Sequence, residues 1–169
     1  FDKWPEFDAI VGNPPFQSKN NMQQEMEPAY VARVRSRYAD VPGRADYCVY
    51  WFRRAHEEMK KGQRAGLVGT NTIRQNYSRM GESVLSPICT DSCFFPEAVV
   101  HVSIANWIKG TASGKKQLSV QIGDKTDSPF KFYELSHINS ALSPGFDVTN
   151  AQRLSSNAKS GYCYQGQTH

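Results

Sequence analysis

The sequence predicts an α/β fold whose mixed sheet ends in an antiparallel hairpin. Two short, mostly apolar runs, residues 7–11 (FDAIV) and 65–70 (AGLVGT), have the length and content of strands in a parallel sheet. Helical patterns lie between them, giving the order strand, helix, helix, strand that a parallel sheet with crossovers requires. Further on, Val100, Val102 and Ile104 alternate with polar residues, and after a glycine-containing loop Leu118, Val120 and Ile122 alternate again, as in a hairpin.

The first strand, read as buried on both faces, runs into Asn13-Pro14-Pro15-Phe16. Two consecutive prolines fix two φ angles and remove two N–H donors, so the chain after Gly12 is stiff and extended. From about residue 24 to 38, Met26, Tyr30, Val34 and Tyr38 recur four apart, a helical stripe with Pro28 near its start. The next helix follows Asp46, a good N-cap. Tyr47, Tyr50, Trp51, Ala55 and Met59 line one face, and Lys60, Lys61 and Gly62 supply the cations and the glycine of a helix end. Residues 98–107 and 118–122 form the expected hairpin arms, and residues 130–135 one more strand. A Ser/Asn/Gly-rich tail begins near Ser140.

At 169 residues the chain suits one compact domain, and an apolar fraction of 39% with 12% aromatics is that of a folded protein. The net charge of +4 is compatible with nucleic acid but does not require it. No apolar run approaches the roughly 20 residues needed to cross a bilayer and the N-terminus has no signal-peptide pattern, so no membrane partner and a cytoplasmic location are expected. Cys48, Cys89, Cys93 and Cys163 include one C-x-x-x-C pair without a second pair or a His at zinc-ligand spacing. They read as reduced thiols, and no metal is expected.

The chemistry of the sequence concentrates in residues 13–16. The Asn13 side-chain carbonyl and the Pro14 backbone carbonyl are two acceptors on a rigid turn, Pro14 and Pro15 leave no competing donors, and Phe16 adds a flat apolar face. Such a set suits a planar group bearing an NH₂, such as adenine N6, cytosine N4 or a carboxamide. Hydrogen bonds from both amino protons would localise the nitrogen lone pair for attack on an electrophile.

The run FDAIVGNPPF resembles the catalytic motif of S-adenosylmethionine-dependent amino-group methyltransferases in its DNA N6-adenine form, a strand end followed by D/N/S-P-P-Y/F. The helix at residues 45–55, the strand at 64–71 and the later hairpin are similar to that family in the same order. The pairing of TNTIRQN (residues 70–76) with FFPEAVVHVSIANW (94–107) most resembles large fused type IIG-like restriction–modification enzymes, in which nuclease, methyltransferase and target-recognition parts share one polypeptide.

The resemblance implies the C-terminal portion of a Rossmann-like methyltransferase fold, with residues 1–138 a partial catalytic domain and 139–169 a connection toward a target-recognition domain. It implies S-adenosylmethionine as cofactor, double-stranded DNA as partner, Asn13, Pro14, Pro15 and Phe16 as the catalytic set, and Phe95, with Phe94 as alternate, stacking on a flipped base. Asn13 and Trp51 would contact the cofactor. For Phe94 and Phe95 the alternative is ordinary core packing before a strand, and for Trp51 it is the packed stripe of its helix. The family's F-x-G-x-G loop and the acidic residue ending its second strand do not appear, so the chain alone is expected to be inactive and to depend on other parts of the same polypeptide. Alternatives are the same chemistry on RNA guanine N2, cytosine N4 or a protein glutamine, or a non-catalytic DNA-binding scaffold.

Overall fold

Element order is β1 (Ala9–Gly12), α1 (Lys19–Glu25), α2 (Pro28–Arg37), α3 (Tyr47–Glu58), β2 (Arg64–Thr70), β3 (Val102–Ile108), β4 (Lys116–Gln121) and β5 (Phe130–Leu135). The structure, a computed structural model, describes residues 3–70, 73, 102–110, 114–123, 127–139 and 142–146. A three-stranded sheet has the order β1-β2-β3, with β1 parallel and β3 antiparallel to β2, and β4 and β5 form a separate antiparallel pair. The expected α/β class with a mixed sheet and an antiparallel hairpin is therefore what the chain forms.

The hairpin's arms differ from those expected. β3 pairs along its whole length with β2, from Arg64↔Ile108 to Thr70↔Val102, and β4 pairs instead with β5, from Lys116↔Leu135 to Gln121↔Phe130. Alternation marks each strand correctly but carries no information about its neighbour. Positive φ at Gly110 (116°) and Gly114 (103°) lets the backbone turn between β3 and β4 without making them partners.

The stripe expected to be one helix is two. Glu27 precedes Pro28 and is extended (φ −55°, ψ 126°), as the pyrrolidine ring demands of its predecessor, so α1 ends at Glu25 and Pro28 starts α2 at a position where no N–H is missed. The α1 sequence KNNMQQE buries only Met22, which is why its periodicity is silent. α3 likewise ends at Glu58, before the lysines: Met59 is extended, Lys60 N–H donates to Gln63 Oε1 at 2.6 Å, and Gly62 (φ 88°) turns the chain into β2.

α3 is packed on two sides. Cys48, Phe52 and Ala55, all fully buried, belong to one core with Ala65 and Leu67 of β2 and Ala105 and Trp107 of β3. Toward α2, Tyr47 hydrogen-bonds Tyr30 (Oη to Oη 2.6 Å) and the Tyr50 ring lies 6.5 Å from that of Tyr38. The predicted stripe therefore contains buried residues, with Trp51 half-buried, and omits Cys48, Val49 and Phe52 because it allowed the helix only one partner.

β1 was expected to be covered on both faces, and it is not. Ile10 and Gly12 are half-buried, Ile10 against the core, whereas Ala9 and Val11 are exposed, Val11 to 87%. On that face Val68, Ile104 and Ile108 line an open concavity of about 920 Å³. Among the described residues no helix packs there, which is the physical reason for the exposure.

Candidate active site

The Asn13-Pro14-Pro15-Phe16 turn leaves β1 at its carboxyl end, the edge at which open α/β sheets place their ligands. Gly12 is paired with Leu67, and a Cβ on Gly12 would meet Leu67 Cδ2 at 3.3 Å, so the strand reaches the turn pressed against β2. Beyond the turn Ser18 caps α1: its Oγ accepts from Asn21 N–H at 3.2 Å. A rigid dipeptide is thus clamped between a strand end and a helix start.

Within the turn the four residues divide by exposure. Pro14 is buried, Phe16 is half-buried against the core, and Asn13 and Pro15 are exposed. The buried proline anchors the turn while Asn13 offers its amide outward at one end of the concavity whose rim carries Arg64, Lys115 and Lys116. Lys115 is partly occupied, with Nζ 2.7 Å from Glu134 Oε2.

Just after the turn, Gln17 C=O accepts from Tyr47 N–H at 2.8 Å, which fastens the start of α3 to the segment. Asp46 holds the N-cap position but makes no capping bond with its side chain. Its Oδ2 accepts instead from Thr70 Oγ1 at 3.0 Å, at the end of β2. Cys48 Sγ lies 3.7 Å from the same Thr70 oxygen, and burial pushes its thiol pKa up, so it stays protonated beside the carboxylate-bound hydroxyl.

Trp51 stands one turn further along α3, half-buried at the edge of the core. Its ring is 6.4 Å from Trp4 at 30° and 6.2 Å from Tyr47 at 83°, and Arg54 lies 5.0 Å over the Trp4 ring. Burial, and then the hydrogen bond with Tyr30, push the Tyr47 phenol up, so this aromatic group is uncharged. Trp51 is not on the lining of the concavity that Asn13 joins. Phe94 and Phe95 lie outside the described residues, so the opposite side of any bound ring is not described.

The pair that sequence reasoning missed is Asp46 with Thr70. Asp46 reads as a cap, and the signal that could have linked the two is only positional: a hydroxyl ending one strand and a carboxylate opening the helix before it. Among the described residues no group of three or more His, Cys, Asp or Glu side chains could hold a metal ion, and no helix is long and apolar enough to cross a membrane.

Residues 2–91 match a protein family described as Eco57I restriction-modification methylase. Among curated proteins there is no significant match. Among solved structures, the type IIL restriction-modification enzyme MmeI in complex with DNA superposes with a TM-score of 0.65 at 23% identity, over 83% of this chain and 20% of that one. The type IIG restriction endonuclease BpuSI superposes with a TM-score of 0.53 at 10% identity, over 76% of this chain and 19% of that one. At such identities the likeness is one of fold. The chain spans about a fifth of the length of either enzyme.

Proposed function

The chain belongs to the Eco57I restriction-modification methylase family, and on that premise we propose that it carries the amine-presenting part of an adenine-N6 DNA methyltransferase in a restriction–modification system. The observation that bears most weight is Asn13-Pro14-Pro15-Phe16 at the carboxyl end of β1, with Pro14 buried and Asn13 exposed.

In this reading a target adenine is extruded from the duplex, at a cost of a few kcal/mol. The Asn13 Oδ1 and the Pro14 carbonyl accept the two N6 protons. The nitrogen lone pair, withdrawn from conjugation with the ring, then points away from the base toward the methyl donor. Pro14 and Pro15 contribute by what they lack, since no N–H beside the acceptors competes for them. Phe16 stacks on one face of the base and Phe95, or Phe94, on the other, each stack worth roughly 1–3 kcal/mol.

S-adenosylmethionine, when bound, supplies an electrophilic methyl group. Of the two residues expected to contact it, the exposed Asn13 amide offers hydrogen bonds, whereas the Trp51 ring packs on Trp4 and Tyr47 and does not line the concavity that Asn13 joins. The remaining holder would come from the rest of the polypeptide, as would target recognition through a connection at residues 139–169. Double-stranded DNA is the proposed partner, met in part through the cationic rim of Arg64 and Lys116.

The test is to incubate the full-length protein with DNA and isotopically labelled cofactor, digest to nucleosides and identify the product by mass. N6-methyladenine is expected. Label in cytosine, in RNA or in protein overturns the adenine assignment, and no label overturns the enzyme.

A further inference from the structure

The β1/β2 ladder ends at Gly12↔Leu67, yet β2 continues for three more residues. The continuation carries Thr70 to the level of the turn that β1 has just entered. Thr70 is 8% exposed, and its hydroxyl donates to Asp46 Oδ2 at 3.0 Å. The following residue, Tyr47, donates its N–H to the carbonyl of Gln17, which directly follows Phe16. One continuous set of bonds therefore runs from the end of β2, through the first residues of α3, to the residue after the turn.

We propose that Thr70 and Asp46 are positioning residues that hold the Asn13–Phe16 turn at its downstream end. The proposal rests on the methyltransferase reading of that turn. A turn stiffened by two prolines cannot adjust internally, so it moves as a body about its ends. Its upstream end is fixed by the β1/β2 ladder. Its downstream end is fixed at Gln17 and Ser18, by the cap of α1 on one side and by the start of α3, through Tyr47 N–H, on the other. Asp46 lends its carboxylate to the strand rather than to its own helix, which ties that start to β2. A hydroxyl–carboxylate bond is charge-assisted and directional, suited to setting an angle.

The test uses the full-length protein with Thr70→Val, Thr70→Ser, Asp46→Ala and the double variant Thr70→Val/Asp46→Ala. Thr70→Val is expected to lower kcat roughly 10- to 100-fold, the scale of a displacement near 1 Å, with KM for DNA within about twofold. Thr70→Ser, which keeps the hydroxyl, should restore the rate. The double variant should fall no further than the worse single one, because both break the same bond. Amide exchange over residues 13–18 and 46–49 should quicken in Thr70→Val and not in Thr70→Ser.

A wild-type rate in Thr70→Val, equal impairment in Thr70→Ser, a loss confined to KM, or additive losses in the double variant would each overturn the proposal. If Thr70→Val proves too unstable to assay, the comparison of Thr70→Ser with Asp46→Ala decides it: a normal rate in the first and a low one in the second supports the latch, and any other pairing overturns it. Asn13→Ala in the same assay separates the two readings. Should Asn13→Ala stay active, the methyltransferase site is wrong; should it be inactive while Thr70→Val is normal, only the latch is wrong.

Discussion

Phe52 and Trp107 stack with ring centroids 5.6 Å apart and planes 17° from parallel, joining α3 to β3 across the face of β2. Both rings are almost wholly buried, at 0% and 2% exposure. This pair fixes how α3 lies on the sheet, and with it the position of Asp46 and Tyr47 at the helix start. Phe52→Ala is expected to cost about 3–5 kcal/mol, lost burial plus an unfilled cavity. Urea denaturation followed by tryptophan fluorescence checks it, since Trp107 lies against the deleted ring; a loss below about 1 kcal/mol would show that the site collapses freely.

Two glycines of β2 should respond differently to the same added methyl. A Cβ on Gly69 would stand 2.9 Å from Ile73 Cγ2 and 3.2 Å from Phe52 Cε2, inside the core. A Cβ on Gly66 would stand 2.5 Å from Asn106 Oδ1, the far end of one exposed side chain rather than part of the core. Gly69→Ala is therefore expected to destabilise by about 1–3 kcal/mol, and Gly66→Ala by less. Thermal unfolding of the two variants side by side reads the order directly.

Burial, with Lys109 and Arg53 nearby, lowers the His56 pKa below its ordinary value. Folding thus resists protonation there. Above about pH 6.5, the usual histidine value, His56 is neutral in both states and adds no pH dependence. As pH falls below that, the unfolded chain takes up a proton that the folded one refuses, and stability drops progressively through the lower, folded pKa. His56→Gln should flatten the slope of melting temperature between about pH 7 and pH 5. An unchanged slope would assign the acid sensitivity to other groups.

Asn13→Ala in the full-length protein is expected to lower methyl transfer by at least roughly 10²–10³-fold, the range for removing one preorganised polar contact to a transition state. Asn13 is exposed, so the fold should be unaffected. Labelled-methyl incorporation together with circular dichroism distinguishes lost chemistry from lost structure.

Much of the frame was legible because it depends on local physics. The strands at β1, β2 and β5 and the helix after Asp46 follow from apolar runs, a cap and turn residues, and Asn13-Pro14-Pro15-Phe16 falls at a strand end as the run before it implied. What escaped depends on partners. α1 buries only Met22 and so leaves no stripe. The alternation in β3 and β4 is satisfied equally by any neighbour, and the structure gives β2 to one and β5 to the other. Trp51 sits on a stripe, but its ring packs on Trp4 and on its own helix neighbour Tyr47. Asp46 obeys the rule for an N-cap position, yet its carboxylate serves Thr70, a choice that only three-dimensional neighbourhood can make.

Among the described residues β1 is an edge strand with Val11 87% exposed, a surface that behaves as an adhesive. An apolar strand with open hydrogen-bonding groups accepts whichever extended segment arrives first, native or foreign. For a chain made with that edge bare, recovery would be a race between the correct neighbour and self-association, decided by concentration and time more than by the strength of the core. Covering that edge, rather than reinforcing the interior, is the route to material that stays in solution.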